Sequence, residues 1–160
     1  MILIGLGANL PSAWGPPEKT LEAALAALGD AGIGVERRSR WYRSAPWPPG
    51  EQPWYVNAVA SLATGLDPGA LLAELHRLEA RFGRTRRHRN EPRVLDLDLL
   101  DYDGRVQEEA PVLPHPRLHE RAFVLLPLAE IAPDWRHPLS GAGVWELVAR
   151  LPPGHGAEAM

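Results

Sequence analysis

Segments with strand and helix patterning follow one another along this chain in the order strand, helix, strand, strand, helix, strand, with further helical pieces behind. That order predicts an α+β protein, a ferredoxin-like βαββαβ sandwich with C-terminal helical additions. Two observations carry the prediction. Two segments, and only two before residue 94, place leucines at helical spacing. The segments between them are short, apolar and bounded by glycine or proline.

Each element has its own justification. Ile2–Leu6 is a short apolar run, a buried strand that opens into the loop Gly7-Ala8-Asn9-Leu10. Pro16 and Pro17 precede a helix whose inner face is Leu21, Ala24, Leu25 and Leu28, with Gly29 as its stop. A second strand is expected over Val35–Tyr42. Pro46, Pro48, Pro49 and Gly50 make a stiff loop, and a third strand spans Tyr55–Thr64. Asp67-Pro68 is a helix start, a capping side chain followed by proline at the first helical position. Leu71, Leu75, Leu78 and Phe82 form that helix's buried stripe, and Gly83 ends it. After an arginine-rich loop, Val94–Leu100 is a strand, turned back by Asp101-Tyr102-Asp103-Gly104. Pro111-Val112-Leu113-Pro114 leads to a helix near Arg121–Ile131, and Val144–Leu151 is a last short helix. The tail, residues 153–160, is expected to fray.

The bulk properties narrow the function classes. With 160 residues, the chain is expected to form a single domain, residues 1–160. Apolar residues make up 45% and charged residues 23%, an ordinary soluble balance, and the formal net charge is −3. Nothing in that balance suggests a polyanionic partner. There is no cysteine, which excludes disulfides, cysteine-held zinc and thiol catalysis. The start, MILIGLGANL, has no basic leader, and no run approaches the ~20 apolar residues of a membrane helix. The expectations are therefore a cytoplasmic location, no membrane or nucleic-acid partner, and a monomer.

The strongest local signal for chemistry is Asp96-Leu97-Asp98. Strand side chains alternate, so the two carboxylates share one face with Cα atoms about 6–7 Å apart. Leu95, Leu97 and Leu99 then point to the opposite face. Two carboxylates on a rigid strand suit a hard cation such as magnesium, which takes one or two of them and completes its shell with water and phosphate. On spacing alone, the pair reads first as the wet face of a strand. The preceding loop changes that. Residues 84–93 read RTRRHRNEPR, with five arginines in ten positions: Arg84, Arg86, Arg87, Arg89 and Arg93. Guanidinium forks match phosphate, so a positive loop feeding a two-carboxylate strand fits metal-assisted phosphoryl transfer. A solvated arginine run, or an arm contacting RNA in a ferredoxin-like nucleic-acid-binding module, is the alternative.

Weaker signals surround this one. No P-loop motif is present. Gly5-Leu6-Gly7 is a tight strand end that could also let a ligand approach the backbone. His76 and Glu79 lie at i and i+3 on one flank of the second helix, where they could face a nucleotide or simply water. Tyr55 and Asn57 share one face of the third strand, and Asn57 offers both donors and acceptors to a heterocycle edge. His115-Pro116-Arg117 and Arg121 add donors near a helix start, where anions are favoured.

Taken together, Gly7-Ala8-Asn9-Leu10, Tyr42-Arg43-Ser44-Ala45-Pro46, Gln52-Pro53-Trp54-Tyr55-Val56-Asn57-Ala58, Gly83-Arg84-Thr85-Arg86, Pro92-Arg93-Val94-Leu95-Asp96-Leu97-Asp98 and Pro114-His115-Pro116-Arg117 resemble the 6-hydroxymethyl-7,8-dihydropterin pyrophosphokinases of folate biosynthesis. The ordered match runs from about residue 2 to about residue 135. The resemblance implies transfer of pyrophosphate from ATP to the pterin hydroxymethyl group with release of AMP, assisted by two magnesium ions. It implies that Asp96 and Asp98 hold the metal and that Arg84 and Arg93 join them in catalysis. The ATP site it implies comprises His76, Glu79, Arg84, Arg86, Arg93, Leu99, His115 and Arg121. The pterin site comprises Gly7, Ser44, Ala45, Trp47, Tyr55, Asn57, Asp96 and Phe123, whose ring would stack on the flat ligand. Where many members carry Arg-Trp-Gly-Pro-Arg before the acidic strand, this chain reads Arg89-Asn90-Glu91-Pro92-Arg93, and His76 stands where some carry glutamine. Residues 44–52 and 84–92 are expected to close over bound ATP.

Overall fold

A computed structural model describes residues 1–46, 50–83, 94–153 and 156–160. The elements run β1 (Ile2–Ala8), α1 (Pro17–Asp30), β2 (Gly34–Arg38), β3 (Tyr42–Ser44), β4 (Tyr55–Ala63), α2 (Pro68–Arg81), β5 (Asp96–Tyr102), a single 3₁₀ turn at Leu118–Glu120, α3 (Ala122–Ile131), α4 (Val144–Ala149) and β6 (Ala157–Ala159). The sheet is ordered β5-β1-β4-β3-β6, with β2 also on β4, and its strand pairings are antiparallel.

Alternation along the strands splits the core in two. One set of side chains, including Ile2, Ile4, Leu6, Ala58, Leu97 and Leu99, packs beneath α1 and α2. The other, including Leu3, Val59 and Leu100, packs against α3 and α4. The helices face their cores with the residues that the spacing predicts. Leu21, Ala24 and Leu28 are sealed on α1, and Leu71, Leu75, Leu78 and Phe82 on α2. Asp67 caps α2, its Oδ1 accepting from the Ala70 N–H at 2.8 Å ahead of Pro68. Gly83 leaves α2 at φ +93°, a conformation costly for any side chain.

Several boundaries differ from the sequence expectation, each for a local reason. Helix α1 runs past Gly29 to Asp30, and Gly32, at φ +81°, is the residue that turns the chain. The strand expected over Val35–Tyr42 is broken into β2 and β3. Ser39 interrupts it, its hydroxyl accepting from the Val59 N–H (3.1 Å) and donating to the Arg40 carbonyl (2.8 Å). Strand β5 continues through Asp101 and Tyr102 because Asp101 is buried on its own partners, described below. The tail does not fray throughout: residues Ala157–Ala159 form β6, which adds to the sheet beside β3.

Strand β3 is tied to α3 at one end. Glu130 accepts from the Tyr42 hydroxyl (2.8 Å), the Arg40 N–H (2.7 Å) and Arg40 Nε (3.1 Å). Burial alone would raise the Glu130 carboxyl, but these donors outweigh it and hold it below the usual range.

Candidate active site

The register of three neighbouring strands assembles the site. Gly7 of β1 lies opposite Asp96 of β5 on one side and Asn57 of β4 on the other. Gly5 lies likewise between Asp98 and Val59. Directly paired residues project to the same face, so Asp96, Asp98 and Asn57 stand on the α3 side of the sheet. The glycines between them form a floor without side chains. A Cβ on Gly7 would meet Asn57 Oδ1 at 3.0 Å, closer than ordinary contact, so only glycine leaves that amide undisturbed.

Asn57 is buried, and its Nδ2 donates to Ser44 Oγ at 2.9 Å. Tyr55, two residues earlier on the same face, pairs with Ser44 and is half-buried. Asn9 is buried at the exit of β1; its Nδ2 donates to the Pro53 carbonyl (3.1 Å) and reaches Gln52 Oε1 (3.4 Å), tying the loop after β1 to the segment entering β4. No local pattern in the sequence links Asn9 to Gln52, because the two lie far apart in the chain and only tertiary contact joins them.

Basic and aromatic groups come from the opposite wall. Arg121, at the N-terminal boundary of α3, brings Nη1 to 3.8 Å from Asp98 Oδ2, with both side chains partly exposed. Its guanidinium carbon lies 5.5 Å from the centre of the Phe123 ring, within cation–π reach. Phe123 is half-buried against the α3 core. The His115 imidazole is pushed down to about 4, first by burial and then by the Arg121 charge, with Asp96 acting in the opposite sense. His115 is therefore neutral at neutral pH. Its Nδ1 accepts from the Arg117 N–H at 3.2 Å, which leaves Nε2 as the ring's N–H donor.

Glu79 sits on the edge of this assembly. It is buried on α2, and its Oε2 accepts from the Leu97 N–H at 2.8 Å. That bond holds the backbone of β5 between the two aspartates.

Three of the remaining expected residues are described. Leu99 is 4% exposed in the core beneath α1 and α2, on the face opposite Asp96 and Asp98, so its side chain is not at the acidic face. His76 is exposed on α2, and Ala45 is exposed just after β3. Trp47, Arg84, Arg86 and Arg93 lie outside the described residues, as do Arg87, Arg89, residues 47–49 of the first loop expected to close and all of the second, 84–92. Among the described residues, no cluster of three or more metal-ligating side chains forms. The two aspartates still suit a cation that takes its other ligands from water and phosphate, because they are paired on one rigid face and only partly covered.

A family model for 7,8-dihydro-6-hydroxymethylpterin-pyrophosphokinase (HPPK) matches residues 3–133. The chain belongs to the HPPK family. The matched span contains every residue of the site just described. The chain is similar to the 2-amino-4-hydroxy-6-hydroxymethyldihydropteridine pyrophosphokinase of Synechocystis, 45% identical over 151 residues that cover 93% of this chain and 75% of the relative. The protein of the same name from Methylorubrum extorquens is 43% identical, over 94% of this chain and 92% of its own length. The chain also matches 23% of the length of a folate synthesis bifunctional protein, mitochondrial, of Arabidopsis thaliana, at 37% identity over 131 residues. No helix among the described residues is long and apolar enough to cross a membrane.

Proposed function

We infer that this protein is an ATP-dependent pyrophosphokinase that transfers pyrophosphate from ATP to the hydroxymethyl group of 6-hydroxymethyl-7,8-dihydropterin, a step in folate biosynthesis. Membership of the HPPK family and the relatives' names support this activity. The single structural observation that carries it is the cross-strand row Asp96–Gly7–Asn57, which sets a carboxylate and an amide on either side of a glycine floor. Nothing favours the alternative reading as a nucleic-acid-binding module.

In this reading the hydroxymethyl oxygen attacks the β-phosphorus of ATP. The new O–P bond forms as the bond from the β-phosphorus to the oxygen bridging the α-phosphate breaks. AMP leaves with that oxygen, and the hydroxyl proton is lost to solvent or phosphate. Catalysis of such a transfer rests on positioning and charge stabilisation more than on a strong base. Asn57 and Ser44 present hydrogen-bonding groups to the edge of the pterin, Tyr55 and the Phe123 ring bound its faces, and Gly7 lets it approach the sheet. Arg121 and the neutral His115 N–H face the triphosphate, and by the family resemblance Arg84, Arg86 and Arg93 would add their charge to it. Asp96 and Asp98 would hold magnesium, two ions by the family resemblance, which would neutralise phosphate charge and polarise the P–O bonds. Glu79 would act through the β5 backbone, keeping both carboxylates aimed. We read the chain as one domain. Its ferredoxin-like character is supported by the strand order β5-β1-β4 followed by the broken β2/β3 strand, with α1 and α2 on one face.

Incubation with ATP, magnesium and the hydroxymethyl dihydropterin should yield AMP only when all three are present. A folded protein that releases no pterin-dependent AMP would overturn the assignment.

A further inference from the structure

Strand β6 has no part in the chemistry above, yet it pairs with the strand that carries Ser44. We propose that β6 is a positioning element for the pterin wall: by pairing with β3 it holds Ser44, and through Ser44 the Asn57 amide, in the orientation that meets the heterocycle edge. The inference rests on the pterin reading of Asn57, Ser44 and Tyr55.

Strand β3 is weak on its own. It is three residues long, too short to hold its own alignment, and β4 supports only one of its edges. Its Tyr42 end is anchored to α3 through Glu130. Its Ser44 end leads into the proline-rich loop and has no such anchor to α3 among the bonds described. Strand β6 covers the free edge along its whole length, pairing Tyr42 with Ala159, Arg43 with Glu158 and Ser44 with Ala157. The Met160 N–H donates to the Trp41 carbonyl at 2.9 Å. Alternate N–H groups of an antiparallel strand point the same way, so the Glu158 N–H also faces β3.

Side chains reinforce the pairing at the surface. Arg43 Nε lies 3.4 Å from Glu158 Oε1, and the Arg43 guanidinium carbon lies 4.6 Å from the centre of the Trp54 ring. Trp54 immediately precedes Tyr55, so this chain of contacts runs from β6 to the start of β4. Both members of the ion pair are more than half exposed, and such pairs contribute little. The backbone ladder, rather than the charge, is what holds Ser44.

That distinction sets the test. Proline at 158 removes the N–H that faces β3, whereas glutamine removes only the charge. Steady-state AMP formation by the full chain is measured against each substrate in turn. Glu158→Pro should raise KM for the pterin about tenfold, or ~1.4 kcal/mol, with KM for ATP within about twofold, and Glu158→Gln should leave both unchanged. A Glu158→Pro protein that raises neither constant, or both alike, overturns the proposal. Should that variant fail to fold by circular dichroism, Ala157→Gly with Ala159→Gly weakens the strand without deleting a donor. A selective two- to threefold rise in pterin KM is then expected (roughly the effect of a partly loosened strand), and an unchanged value overturns the proposal. Absence of pterin-dependent AMP from the unaltered chain would instead remove the reading on which the inference rests.

Discussion

One face of the sheet has two ends with opposite fates, and β5 contributes aspartates to both. At the end near Leu3, Val59 and Leu100, helices α3 and α4 seal the surface. Asp101 is buried there and fully employed: Oδ2 accepts from Trp135 Nε1 at 2.9 Å, and Oδ1 from the Gly104 N–H at 3.0 Å. At the other end, beyond Gly5 and Gly7, the same strand leaves Asp96 and Asp98 half-exposed, with Arg121 at 3.8 Å from Asp98. The chemistry of a carboxylate does not distinguish the two ends. The cover does: an aspartate beneath a helix is sealed among fixed donors and becomes structural, and one beside a glycine floor stays partly exposed on the face where a ligand would sit.

The largest expected effect separates the two ends directly. Asp96→Ala or Asp98→Ala should lower turnover by about 10³-fold or more, since several kcal/mol of charge stabilisation are lost, while thermal melting followed by circular dichroism stays near that of the parent. Near-normal turnover in either variant would break the comparison at its open end.

Asp101→Ala should do the reverse. It orphans the buried Trp135 N–H, at a cost of about 1–3 kcal/mol, and should lower the melting temperature by roughly 2–12 °C. Turnover below the transition should be near normal. An Asp101→Ala protein with parental stability would show that the sealed end does not depend on that carboxylate.

Gly7→Ala probes the floor. The added methyl would press on Asn57 Oδ1, so KM for the pterin should rise about tenfold, with a smaller change for ATP. An equal rise for both substrates would place Gly7 outside the pterin wall.

The smallest effect is on pH dependence. The His115 imidazole is held at about 4 in the folded protein, against an ordinary value of ~6.5 in an unfolded chain. Below the ordinary value the unfolded chain takes up the proton first, so stability falls as pH drops from about 6.5 towards 4 and is constant with respect to this group above that window. His115→Asn should flatten this part of a melting-temperature profile, and an unchanged slope would count against burial of the ring.

Much of the fold was legible in sequence because it depends on local regularity. The leucine stripe of α2, its Asp67 cap and Gly83 stop, and the shared face of Asp96 and Asp98 follow from periods that a reader of the chain can count. Local regularity fails where a distant partner intervenes. Ser39 broke the second strand by bonding to β4, Trp135 drew Asp101 into the core, and β3 turned a tail into β6.

The candidate site divides in the same way. By itself the sequence determined which residues carry charge and which faces they share within one strand, because side-chain alternation is a local property of the backbone. Only the tertiary structure decided that Gly7 lies between Asp96 and Asn57, that Arg121 reaches Asp98 and that Glu79 holds Leu97. Those facts depend on strand register and on which end of the sheet a helix covers, and both are settled by packing between segments far apart in the chain.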